Sequence, residues 1–175
     1  SHYFTAYSYE KLKNGLPNSK IKDCERLVNW VRLVKSDQEI KYMKIASEIT
    51  QLGMKTAFKE INPGVRQCDA VAKIYSTLIS GTSEYGGDYA SIVPLIPTGK
   101  GTSASHLTWT DEKFVNGEAS IVEISGAYKK YHCPMARTVL LGKQDQKKID
   151  TMKKTREALE SGINVTKPGN TADDV

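Results

Sequence analysis

Apolar residues recur at helical spacing along two long stretches of the chain, and they cluster in short extended runs between those stretches. The first stretch opens at Ser36, with Glu39 three residues later in a capping-box pattern, and runs to about Glu60, where the Pro63-Gly64 pair stops it. Its apolar stripe consists of Ile40, Met43, Ile45, Ala46, Ile49, Leu52, Met54 and Phe58. This pattern predicts a long amphipathic helix.

A second predicted helix, from about Gln67 to Ile79, is followed by short extended runs. Ile92 to Ile96 is rich in residues that favour strands. Further on, Ile121, Val122 and Ile124 flank Glu123, a Gly126-centred turn follows, and the run from Tyr131 to Leu141 carries the chain back. The pattern predicts a β-hairpin in which Glu123 stands among apolar neighbours. A carboxylate in that setting is chemically useful, although the pattern fits a strand-end carboxylate in solvent equally well.

The first 33 residues do not form a core of their own. Tyr3 to Tyr9 favours a strand, Ile21 to Asp23 fits a brief strand, and Glu25 to Val34 has apolar residues at helical spacing. We interpret residues 1–33 as the end of a preceding domain and a linker.

The helical pattern returns after Gly142. Ile149, Met152 and Leu159 carry the new helix, which ends at Pro168-Gly169. After each of the two long helical stretches, an aspartate lies six residues beyond the proline of the Pro-Gly pair, which indicates a weak internal repeat. The alternative is two unrelated helices that both end in Pro-Gly. Because the second copy stops near its second helix, we expect a piece cut at both ends, without a complete active site.

Composition limits the possible functions. The chain has 39% hydrophobic and 26% charged residues, and its mean hydropathy is −0.46, so we expect a soluble, cytoplasmic domain. No apolar run approaches the roughly 20 residues of a membrane span. The net charge of +5 comes from scattered lysines, which argues against nucleic-acid binding. Three cysteines without C-x-x-C spacing argue against a disulfide framework and a structural zinc site.

Several of these features together resemble the pita-bread family of creatinase, prolidase, aminopeptidase P and methionine aminopeptidase. They are the duplicated helices with P-G-x-x-x-x-D, His106 in a Gly/Ser-rich lead-in, and an acid in a hydrophobic hairpin that ends in A-R-T-V. The resemblance implies an α/β (α+β) domain with a pseudo-two-fold repeat and a pocket on the concave face of its sheet. Residues 34–175 would be its first half and the start of its second, so the fold would be incomplete here.

Most members of that family hold two metal ions, in part through two aspartates eleven residues apart on the hairpin. The matching positions here are Glu123 and Pro134, and proline has no side-chain oxygen. The departure favours a metal-free hydrolase of the creatinase type, with no cofactor and no metal ligands in this chain. The motifs E-Y-G-G-D-Y, H-L-T-W-x-D and Y-H-C-P-x-x-R-T are similar to ectoine hydrolases, which implies a small cyclic amidine carboxylate as substrate. A metal-dependent Xaa-Pro peptidase and a non-catalytic pita-bread scaffold remain as alternatives.

The resemblance also implies roles for individual residues. Glu123 would act as nucleophile or as general base, and His106, seventeen residues before it, would move the proton; a structural histidine is the alternative. Residues that we expect to contact the substrate are Tyr85, Gly87, Asp88, Tyr131 and Cys133. The alternatives are a plain glycine turn for the loop and a small buried residue for Cys133, which we expect, rather than His132, to face the pocket. An exposed apolar face would make the chain dimerise, so we expect a homodimer.

Overall fold

The structure, a computed structural model, describes residues 4–175 as two compact units that divide between Ser36 and Asp37. The division lies close to the boundary expected after Leu33. The first three residues of the predicted N-terminal segment, including the start of the predicted strand at Tyr3, lie outside the described residues.

The first unit contains two helices, α1 (Ala6–Gly15) and α2 (Leu27–Leu33). The prediction of a strand up to Tyr9 was wrong, because Thr5 caps a helix instead: its hydroxyl accepts a hydrogen bond from the backbone N–H of Ser8 at 3.2 Å. The brief strand predicted at Ile21 to Asp23 does not form either. The helix predicted within Glu25 to Val34 is confirmed as α2.

The second unit begins with the two helices that the apolar pattern predicts. α3 (Asp37–Glu60) and α4 (Gln67–Ser80) are separated by the Pro63-Gly64 break, and both predictions are confirmed. A β-hairpin follows, formed by β1 (Ala119–Tyr128) and β2 (Tyr131–Leu140). Beyond it lies α5 (Gln146–Val165). Asp145 caps the N-terminus of α5, because its side chain accepts a hydrogen bond from the Lys148 N–H. Two short 3₁₀ helices, Gly99–Ser103 and Ala172–Asp174, complete the unit.

The hairpin turns at Lys129 and Lys130, not at Gly126 as predicted. Both lysines adopt positive φ angles, of 48° and 68°, which a two-residue hairpin turn requires. Gly126 lies inside β1, opposite Cys133. A Cβ atom on Gly126 would come within 2.6 Å of the Ala46 carbonyl oxygen, so the glycine is needed because α3 lies against the strand.

One face of the hairpin is covered by helix. Val122 and Ile124 are fully buried in the core with residues of α3 and α4, among them Ile49 and Ile74. The other face carries Glu123 and lies away from the helices. The run predicted as β-rich, Ile92 to Ile96, makes only an isolated bridge there, from Leu95 to Glu123.

None of the helices in residues 4–175 is long and apolar enough to cross a membrane.

Candidate active-site cleft

Glu123 occupies a fixed position in the middle of β1. Its backbone exchanges two hydrogen bonds of 2.9 Å with Leu95 on one side, and it faces Ala136 of β2 on the other. Successive strand residues point to opposite faces, and Val122 and Ile124 point to the helices. The side chain of Glu123 therefore points to the helix-free face, where it is half-buried.

A cleft of about 400 Å³ lies on that face and contains both residues predicted to be catalytic, Glu123 and His106. Its apolar wall consists of Leu95, Pro97 and Ile121, and its polar wall includes Thr102, Ser103 and Ser105. This volume is near the lower end of the range for small-molecule sites. The cleft thus suits a small ligand with one apolar side, facing a carboxylate and an imidazole.

His106 reaches the cleft through the 3₁₀ helix Gly99–Ser103 and the short turn that follows it. Its φ angle is 61°, in the left-handed region that residues other than glycine seldom adopt. Such conformations cluster at functional sites, where the surrounding structure holds them in place.

The loop with Tyr85, Gly87 and Asp88 is not part of this cleft's lining. The Gly87 N–H donates to the Ile79 carbonyl at 2.9 Å, and the Asp88 N–H donates to the Ala127 carbonyl at 2.8 Å. A Cβ atom on Gly87 would overlap the Leu78 carbonyl, so this glycine serves close packing. These bonds fasten the loop to the end of α4 and to the end of the hairpin.

Asp88 is tied to the same end of the hairpin by charge. Its Oδ1 accepts a hydrogen bond from Lys130 Nζ at 2.8 Å, and the ammonium also lies 3.7 Å from the centre of the Tyr89 ring. The hydrogen bond from Lys130 lowers the pKa of Asp88, and burial opposes it only partly. Tyr85 stacks edge-on against Tyr128, with ring centres 5.4 Å apart.

Tyr131 and Cys133 lie on the helix side of the hairpin, away from Glu123. The Tyr131 hydroxyl donates to Glu39 of α3 at 2.9 Å, and Cys133 is paired with Gly126, which abuts α3. The expectation that Cys133, rather than His132, faces the Glu123 side is therefore not met. The register pairs His132 with Ala127, and this puts His132 on the face of Glu123.

His132 lies on this face, which the sequence prediction gave to Cys133. Its Nε2 accepts a hydrogen bond from the backbone N–H of Ser91 at 3.1 Å, so His132 holds the segment that leads to Leu95. The two-residue turn at Lys129 and Lys130 decides this placement, but the sequence does not mark it, because neither lysine is a residue typical of such turns. That turn fixes which residues of β2 share a face with Glu123.

Comparison with known proteins gives these observations a context. A sequence description of metallopeptidase family M24 matches residues 41–175. The chain belongs to metallopeptidase family M24. It is 42% identical over 181 residues to the ectoine hydrolase of Halomonas elongata, an alignment that covers 100% of this chain and 45% of that protein. It is 24% identical over 164 residues to the Xaa-Pro dipeptidase of Pyrococcus horikoshii, covering 93% of this chain and 45% of that protein.

Solved structures of two prolidases share the fold of this chain. The prolidase from Pyrococcus furiosus superposes with a TM-score of 0.83 at 23% identity, over 95% of this chain and 49% of the prolidase. The prolidase from Pyrococcus horikoshii gives 0.85 at 23% identity, over 96% and 47%. The predicted mixed α/β pita-bread fold is confirmed, and the chain spans about half the length of the curated relatives that it matches.

Within residues 4–175, the position that matches the second metal-binding aspartate of the family carries Pro134. Pro134 faces Ser125, on the same side of the hairpin as Glu123, and offers no oxygen where the second carboxylate is expected. In the part of the chain that the structure describes, no three histidines, cysteines or acids converge on a point where a metal ion would fit.

Proposed function

We propose that the natural protein that contains this chain is a hydrolase that opens a C–N bond of a small cyclic amidine, with ectoine as the substrate. The observation that carries the proposal is that Glu123 and His106 line one small cleft. The 42% identity to an ectoine hydrolase supports the choice of substrate.

The reaction adds one water molecule across the amidine. An oxygen bonds to the amidine carbon, the bond from that carbon to one ring nitrogen breaks, and the departing nitrogen gains a proton, which leaves an N-acetylated diaminobutyrate. Glu123 either attacks the carbon itself or removes a proton from the attacking water. His106 supplies the proton to the departing nitrogen.

The walls of the cleft support this substrate class. The amidinium cation would face the carboxylate of Glu123, an attraction that strengthens as the substrate displaces water from the cleft. The methylene and methyl groups of the ring would contact the apolar wall of Leu95, Pro97 and Ile121.

We propose that this reaction runs without a metal ion, and Pro134 is the observation that supports it. A dinuclear site needs carboxylates to bridge and neutralise its two ions, and the position that would supply one of them carries a pyrrolidine ring. The competing function is a metal-dependent Xaa-Pro dipeptidase, which the 24% identity to the Pyrococcus horikoshii enzyme favours.

One experiment separates these functions. The natural protein is incubated with ectoine and with an Xaa-Pro dipeptide, each with and without a chelator. We expect turnover of ectoine that the chelator leaves unchanged. Cleavage of the dipeptide alone, abolished by the chelator, would establish the peptidase instead, and turnover of neither would favour a non-catalytic scaffold.

We further propose that the protein acts as a homodimer in the cytoplasm. The supporting observation is an apolar pair on α5, Leu159 and Ile163, which are more than half exposed and so can pack against further protein. Cys24, Cys68 and Cys133 are free thiols, which suits a reducing compartment. Light scattering on the purified protein tests the dimer, and a monodisperse monomer would contradict it.

A further inference from the structure

The hydroxyl groups on the polar wall of the cleft are not equivalent. Thr102 donates its hydroxyl proton to the Gly99 carbonyl at 2.8 Å, and Ser103 donates to the Lys100 carbonyl at 2.9 Å. A hydroxyl has one proton to give and two lone pairs to accept with. Thr102 and Ser103 therefore present acceptors to a ligand.

Ser105 lines the same cleft with its proton uncommitted. Within residues 4–175, neither its hydroxyl nor its backbone N–H donates a hydrogen bond to another protein group, and the backbone N–H of His106 donates none either. Three donors on two consecutive residues are thus available to a ligand. Successive free N–H groups beside a left-handed residue, such as His106 with φ 61°, are a common way for backbone to receive an anion.

The cleft therefore offers two kinds of group. Glu123 and the acceptor oxygens of Thr102 and Ser103 suit a cationic group that bears N–H bonds, and the donors at Ser105 and His106 suit an anion. A cyclic amidine that also carries a carboxylate has both groups on one small ring.

We infer that Ser105 is a specificity-determining residue, whose hydroxyl donates to the carboxylate of the substrate while the amidinium faces Glu123. The inference rests on the proposed hydrolysis of a cyclic amidine. The hydrogen bond from Ser105 would make the enzyme prefer a ring with a carboxylate to a ring without one. Ser105 would thus set this preference separately from Glu123 and His106, which carry out the reaction.

The test compares ectoine with the same methylated ring lacking the carboxylate, using the natural protein and its Ser105→Ala and Ser105→Thr variants. For ectoine, Ser105→Ala should raise KM roughly tenfold or more with little change in kcat, because a hydrogen bond to a charged group is lost in ground and transition states alike. For the ring without the carboxylate, KM should stay within about twofold. Ser105→Thr keeps the hydroxyl, so its KM for ectoine should stay close to that of the natural protein.

The matched control is Ser80→Ala, an exposed serine at the end of α4, outside the cleft lining. An equal rise in KM for both rings in Ser105→Ala, or no rise for either, overturns the inference while the proposed function stands. Failure of the natural protein to open either ring overturns both.

Discussion

The backbones of Glu123 and Leu95 bond to each other in both directions: each N–H donates to the other residue's carbonyl, and both distances are 2.9 Å. Because β2 pairs with Glu123 at the opposite edge, the backbone of Glu123 has a partner on both sides. Leu95 also contributes to the apolar wall of the cleft. The pairing thus positions the proposed catalytic group and one wall of its binding site together, as preorganised sites require.

Replacing Glu123 with glutamine should abolish most of the ring-opening activity. The amide keeps the size of the side chain but neither removes a proton nor attacks the amidine carbon, so kcat should fall roughly 10²- to 10⁴-fold. Circular dichroism should show an unchanged fold. Glu84→Gln, in the exposed loop after α4, serves as the control and should keep the kcat of the natural protein; an active Glu123→Gln variant would contradict the assignment.

The elements that depend on local sequence were predictable. The apolar stripe and the Pro-Gly stop define α3, and the apolar residues around Glu123 define the strand in which it lies, although they left the environment of the carboxylate open. Only the family resemblance led us to expect Glu123 and His106 in one site, because no local sequence pattern relates the two residues.

The position of the hairpin turn was predicted wrongly because it depends on contacts between distant residues. Gly126 signals a turn in the sequence, but in the structure it lies inside β1, where its N–H donates to the hydroxyl of Thr50, 76 residues earlier. Placing the turn at Gly126 left the register of β2 undefined, and with it the choice between Cys133 and His132 as the residue that shares the face of Glu123. A glycine's role in close packing cannot be distinguished from a role in a turn without its neighbours.

Gly126→Ala should destabilise the protein because the new methyl group has no space. It would meet the Ala46 carbonyl oxygen at 2.6 Å and the Thr50 nitrogen at 2.7 Å, both backbone atoms of α3. We expect a loss of about 1–3 kcal/mol in the free energy of unfolding, measured by urea denaturation. Gly86→Ala is the matched control, since a Cβ atom there meets nothing within 4 Å, and its stability should stay close to that of the natural protein. Equal stability of the two variants would refute the proposed close contact.

The hydroxyl of Thr50 should contribute to stability through both strands of the hairpin. It accepts from the Gly126 N–H at 2.8 Å and lies 2.6 Å from the Cys133 carbonyl oxygen, to which it donates. Thr50→Val keeps the shape but leaves these groups without their partner, and about 1–3 kcal/mol of unfolding free energy should be lost.

Two further substitutions make that measurement specific. Thr50→Ser keeps the hydroxyl and should lose less stability than Thr50→Val. Thr155→Val removes a hydroxyl that bonds only within exposed α5, to the Thr151 carbonyl at 2.9 Å, and should change stability little. If Thr155→Val lost as much as Thr50→Val, the bridge across the strands would not be the cause.

The ion pair between Asp88 and Lys130 should make the end of the hairpin sensitive to acid. Because the hydrogen bond from Lys130 lowers the pKa of Asp88 in the folded chain, the pair stabilises the fold above the ordinary aspartate pKa of about 3.9, and this contribution disappears as pH falls through the lower, folded value. Titrating the Asp88 carboxyl carbon by NMR should give a midpoint below the ordinary value. Lys130→Met should move the midpoint up toward that value, whereas Lys129→Met, which removes the ammonium lying 5.2 Å from the centre of the Tyr42 ring, should leave it low. A midpoint that stays low in Lys130→Met would mean that the Tyr89 N–H, which also donates to Asp88, sets the pKa instead.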